Sequence, residues 1–124
     1  MKNNVSKLLE HAETAVRSNL LNNDNSIAKE YNGYISSFGA AIVQSGLLPA
    51  LYFNHQKDSG SAKDRRKLMK TIYETIKAGY NIQTDKMDLL EYAKQDTVDL
   101  KQLKQQILDA ATAVKLVIRT YELK

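Results

Sequence analysis

An all-α fold, a compact single-domain helical bundle of about five to six helices with a long C-terminal helix, is predicted by three observations. Apolar residues recur at three- and four-residue steps along most of the chain. No segment sustains the alternation of a strand, and no internal repeat is apparent. One proline, five glycines and a hydrophobic share of 43% are those of a globular protein rather than a disordered one. A chain of 124 residues is bounded to one domain, residues 1–124, with a single core.

The elements follow in order. Val5, Leu8, Leu9, Ala12, Ala15, Val16 and Leu20 form the apolar stripe of a first helix, from about Val5 to Leu21. Asn22-Asn23-Asp24-Asn25-Ser26 ends it, because these side chains compete for backbone hydrogen bonds. The next stretch carries no formal charge between Glu30 and Lys57, and Ile27, Tyr31, Tyr34, Ile35, Phe38, Ala41 and Ile42 mark a second helix. Gly46 is placed to end it as a left-handed residue with Leu47 as its apolar contact. Pro49 restarts the chain as a third helix, Leu48 to about Gln56. The polar residues Lys57 to Ser61 read as a flexible loop, and Ser61 with Asp64 as a capping box that opens a fourth helix, closed by Gly79. Thr84 is placed to cap a fifth, Asp85 to about Lys94. Asp96 is placed to cap the last, a helix of about 27 residues and roughly 40 Å in which Leu100, Leu103, Ile107, Ala110, Val114, Val117 and Tyr121 form a seam. A bundle core explains this seam better than a dimeric coiled coil, since it contains Ala110 and Tyr121.

Charge is distributed unevenly. Of 18 basic and 14 acidic residues, the segment 57–80 holds seven and three, so the whole excess of +4 lies there and the rest balances. A local excess points to a partner more than a diffuse one does. Lys63, Arg66, Lys67, Lys70 and Lys77 fall within about 100° on the fourth helix, opposite its apolar side and interrupted by Glu74. Such a face suits a phosphate backbone, which Lys and Arg neutralise without reading bases. A merely solvated face is the competing reading. Arg65 projects towards the apolar side, where its stem can cover the core edge. A second stripe on the last helix holds Lys101, Lys104, Lys115 and Arg119, with Leu108 inside it and Leu116 off the seam. These two leucines suggest a subunit contact, unless another helix of the chain covers them. Tyr31, Tyr73, Tyr92 and Tyr121 sit at core positions, which leaves Tyr52 and Tyr80 as the tyrosines to test for base stacking.

Several function classes lose support. There is no cysteine, hence no disulfide, thiolate chemistry or cysteine-bound zinc. His11 and His55 do not have metal-ligand spacing, no cofactor motif is present, and no catalytic residue is assigned. The acidic pairs Asp85/Asp88 and Asp96/Asp99 occupy helix starts, where they stabilise the dipole. The charged opening MKNNVSKLLEHAE has no apolar run for secretion, and polar residues break the 31–53 stretch as a membrane span. A cytoplasmic, non-enzymatic protein is expected.

The uncharged corner also carries a resemblance. Tyr31, Phe38, Ile42, Ser45-Gly46-Leu47 and Ala50-Leu51-x-Phe53 resemble the signature of the small subunit of type III-B (Cmr) CRISPR RNA-guided effector complexes. That signature reads Tyr, then Leu/Phe-Pro-x-x-Ile-x-x-Asn-Gly-Leu-x-x-Ala-Leu-Ala-Phe. Gly39, Ser45 and Tyr52 depart from it, as do Ser36 and Ser37, where the family commonly has lysines. A weaker likeness continues through Met87 to Tyr92 and the last helix, where Arg119 resembles one of a basic pair. The resemblance implies a non-catalytic structural subunit acting in antiviral defence. Copies of it would stack into a filament beside the subunits that carry the CRISPR RNA, and basic residues would accommodate the target RNA. It implies other Cmr subunits, its own copies and both RNAs as partners, with cutting done elsewhere in the complex. Two alternatives stand: a helical protein–protein adaptor without RNA contact, and the small subunit of a related CRISPR complex.

Overall fold

The computed structural model describes residues 3–57 and 60–124; Met1 and Lys2 of the polar opening, and Asp58 and Ser59 of the loop expected at 57–61, lie outside the described residues. Among the described residues, six helices and one two-stranded parallel pair follow in the order α1 (Asn4–Asn19), β1 (Ser26–Ile27), α2 (Glu30–Ser45), α3 (Leu47–Asn54), α4 (Arg65–Gly79), α5 (Leu89–Ala93), α6 (Leu100–Ile118) and β2 (Glu122–Leu123). The all-α expectation holds, with the long C-terminal helix in place.

Helix α1 is capped by Asn3, whose side chain accepts the Ser6 amide. It buries Leu8, Ala12, Ala15 and Val16 between α4 and α6. The asparagine-rich segment then turns rather than capping α2. Asn25 takes a φ of 65°, and Ser26 donates from both its backbone and its hydroxyl to Asp24. Ile27, expected at the head of the second helix, instead lies fully buried in β1. Its partner β2 comes from the far end of the chain, in the register Ser26 to Glu122 and Ile27 to Leu123.

Gly46 joins α2 to α3 with φ 97° and ψ 164°. This corrects the left-handed cap expected there: the conformation lies beyond the left-handed helical region, where essentially only glycine goes. Pro49 is the third residue of α3, not its first. That position costs nothing, because first-turn amides have no intrahelical acceptor.

Asp64 itself caps α4 through the Arg66 amide, in place of the expected Ser61 box. Gly79 is the last residue of the helix, and its role is space. A Cβ there would meet Leu8 Cδ2 at 2.2 Å, so the bare backbone lets α4 approach α1. Helix α5 is half the expected length and is capped by Asp88, not Thr84. The reason lies upstream, where the Tyr73 hydroxyl donates to the Lys86 carbonyl at 2.8 Å and pins the 82–88 connection against α4. Helix α6 starts from Asp99, which accepts the Lys101 and Gln102 amides, rather than from Asp96. Its 19 residues span about 28 Å, because the last residues leave the helix for β2. One core joins all six helices, with Phe38, Ile42, Leu51, Leu68, Ile72, Ile76 and Ile107 fully buried.

Candidate nucleic-acid interface

The cations predicted from the sequence border more than one cleft. Lys63 and Lys67 border a small cleft of about 140 Å³ shared with Asn19, Asn22 and Tyr31, where α1 ends and α2 and α4 begin. Arg66 and Lys70 line another cleft of about 300 Å³ on the opposite flank of α4, with His55, Met69, Tyr73 and Met87. Arg66 is committed to Asp64 by two hydrogen bonds, at 2.9 and 2.8 Å. That pair holds the Asp64 carboxyl below the usual carboxylate range. The Lys77 ammonium stands 4.2 Å from the centre of the Tyr73 ring, a cation–π contact on its own helix. Glu74, expected to interrupt the basic face, is turned towards α1 by the Asn19 amide at 2.7 Å.

Helix α2 brings the two basic stripes to a common element. On one side, the Tyr31 hydroxyl donates to the Asp64 carbonyl and the Lys63 amide donates to the Tyr34 hydroxyl, tying the start of α4 to α2. Burial, and then the nearby Asp64 charge, pushes the Tyr31 phenol up to about 12. On the other side, Arg119 donates from Nε to the Asn32 side chain at 3.2 Å. Lys115 lines a cleft of about 170 Å³ between α2 and α6 with Ile35, Ser36, Gly39 and Leu108. Between these flanks the first part of α2 exposes Gly33, Ser36, Ser37 and Ala40, small and uncharged, and the same stripe runs on to the exposed Val43 and Gln44. The Ser36 and Ser37 hydroxyls bond back to carbonyls of their own helix, at Asn32 and Tyr34. Lys63, Lys67, Lys115 and Arg119 are therefore gathered about α2, whereas the cleft lined by Arg66 and Lys70 contains no α2 residue. Tyr34 and Asn32, which tie the flanks together, were not singled out from the sequence. Their positions three residues after Tyr31 and four before Ser36 are the signal that existed.

The remaining candidates sort by burial. Arg65 covers the core edge as expected: its guanidinium lies 4.0 Å from the Tyr34 ring centre and 5.1 Å from that of Phe53. Leu108 is half-buried against the core, whereas Leu116 is 49% exposed. Leu116 lies in a largely apolar groove of about 560 Å³ between α1 and α6, with Leu9, Val117, Glu10 and Glu13. Tyr52 is exposed and Tyr80 half-buried against the core, where burial pushes its phenol up. His55 places Nδ1 2.7 Å from the Leu51 carbonyl, and its Nε2 is sealed off without a partner, so burial pushes the imidazole down. Among the described residues no three His, Cys, Asp or Glu side chains stand close enough to hold a metal ion. Among those residues, too, no helix is long and apolar enough to cross a membrane.

Fold and charge thus describe a small helical module with cations on both flanks of one uncharged helix face, and an apolar groove elsewhere. The family model of CRISPR-associated protein (Cas_Cmr5) matches residues 4–120, nearly the whole chain. The chain belongs to that family, the small subunit of type III-B complexes, and is accordingly a subunit of a CRISPR-associated Cmr complex that associates with the other Cmr subunits. Comparison with curated proteins and with solved structures finds no match.

Proposed function

We propose that this subunit is a non-catalytic structural element of a cytoplasmic antiviral complex, acting as one domain. It stacks with its own copies beside the guide-RNA backbone and holds the target RNA. The observation that carries the RNA role is the gathering of Lys63, Lys67, Lys115 and Arg119 on either side of the small-residue face of α2. A phosphate chain laid on Gly33, Ser37 and Ala40, short of Val43, would meet small side chains and find ammonium and guanidinium groups on both sides. Arg66, Lys70 and Lys77 belong to the neighbouring flank and extend the field rather than the contact. The exposed Leu116 in its groove, with a smaller share from Leu108, supplies a subunit contact. That groove also favours the second reading, a protein adaptor with no RNA contact.

Charge reversal separates the two. Lys63→Glu, Lys67→Glu, Lys115→Glu and Arg119→Glu together, in the assembled complex, should lower target-RNA affinity. Each phosphate contact to a single strand contributes a salt slope of about 0.7, so four lost contacts should flatten it by nearly three. Unchanged affinity and slope would leave the adaptor reading.

A further inference from the structure

A cleft of about 330 Å³ opens between the 82–84 connection, the α5–α6 turn and the first turns of α6. It is separate from the basic clefts and has a different chemistry. The amides of Gln83, Gln102 and Gln106 line it, together with Tyr92, and none of these side-chain polar groups has a hydrogen-bond partner among the described residues. Asp99 is the one charged residue in the lining, and its carboxylate already accepts two backbone amides of α6.

These features limit the occupant. The Asp99 charge and the lack of any cation in the lining exclude a phosphate. The amide-rich wall is unlike the apolar grooves that take partner helices. The volume lies at the small end of the range for small-molecule sites, about 300–1,000 Å³. What fits is a flat, uncharged group with hydrogen-bond donors and acceptors on one edge. Ile82, Val98 and Leu103 offer it an apolar floor, and Tyr92 an aromatic neighbour. An unpaired base has these properties, since single-stranded RNA is read by stacking on aromatic rings and by hydrogen bonds to base edges. A glutamine amide matches adenine in two bonds at once.

We propose that this cleft captures one unpaired nucleobase, held at its edge by Gln102 and Gln106. The inference rests on the RNA reading above and adds a base contact to its phosphate contacts.

The test is a cycle in the assembled complex between the glutamines and the base. Target RNAs carrying a single abasic nucleotide at successive positions are titrated against wild-type complex and against Gln102→Ala/Gln106→Ala. Alanine favours helices, and both positions lie within α6, so the double variant should keep its fold. At a subset of positions, removal of the base should weaken wild-type binding about tenfold and the variant less than twofold. Equal losses in both proteins, or no loss at any position, would overturn the base site. If the charge-reversed subunit still lowers affinity in that case, the RNA reading survives; if it does not, both fall. Failure of the double variant to assemble before RNA is added would make the cleft a protein contact and would likewise overturn the proposal.

Discussion

The contact between α4 and α1 offers the sharpest test of the fold, because a single atom decides it. Gly79→Ala would place a Cβ 2.2 Å from Leu8 Cδ2, whereas carbon atoms in contact stand about 3.5–4.0 Å apart. Leu8 is 2% exposed, so it has no open side towards which to turn. Overpacking of this kind costs about 1–3 kcal/mol. Against it stands the helix preference of alanine over glycine, at most about 1 kcal/mol and less at a helix end. The net expectation is a loss of about 1–2 kcal/mol, which for a chain of this length lowers the melting temperature by about 4–8 °C. Leu8→Ala alone should cost about 2–5 kcal/mol by opening a cavity. In the double variant the new methyl enters that cavity, so the combined loss should fall short of the sum by about 1–2 kcal/mol. Thermal and urea unfolding of all four proteins closes the cycle. A Gly79→Ala protein at least as stable as the parent, or losses that add within about 0.5 kcal/mol, would refute the argument.

Two further outcomes are expected. Hydrogen bonds from Ser26 and then Lys124 hold the Asp24 carboxyl down at about 2, against an ordinary unfolded value of about 3.9. A depressed carboxylate stabilises above its unfolded pKa, and that contribution is lost as pH falls from about 4 to about 2. Asp24→Asn should therefore flatten the acid limb of the stability profile in that window, read by circular dichroism. Ser36→Lys with Ser37→Lys would add two cations to the exposed face of α2. If RNA lies along that face, affinity rises and the salt slope steepens by about 1.4; an unchanged slope would place the strand elsewhere.

How much of this was legible beforehand depends on what a residue answers to. Leu103, Ile107, Ala110, Val114 and Val117 answer to their own helix, and the three- and four-residue rhythm placed them in the core without a structure. Boundaries depended on competition between neighbours. Asp96 and Asp99 are equally good caps by type, and the choice fell to Asp99, whose carboxylate reaches two amides. The β pair was invisible for another reason: two residues carry no alternation, and its partners, Ser26 with Glu122 and Ile27 with Leu123, come from opposite ends of the chain. Only the return of the chain end to Ile27 makes a strand of either.

The candidate site shows the same division. A helical wheel orders Arg66, Lys67, Lys70 and Lys77 about the axis of α4, and from that axis alone they read as one basic face; Lys63, expected with them, lies before the Asp64 cap and outside the helix. What the wheel lacks is the identity of the neighbours. Tyr31 and Tyr34 bond to the backbone of Asp64 and Lys63, Lys67 shares a cleft with Tyr31, and Asn32 joins Arg119 to α2 from the opposite side. Meanwhile Arg66 and Lys70 border a different cleft with His55, just after α3, and Met87 and Asp88, just before α5. The basic residues thus border clefts on both flanks of α4, and Lys63 and Lys67 combine with the end of α6 to flank a helix that itself carries no lysine after its cap. The uncharged surface of α2, where Ser36 and Ser37 stand in place of the family's lysines, thus lies between cations contributed by other parts of the chain.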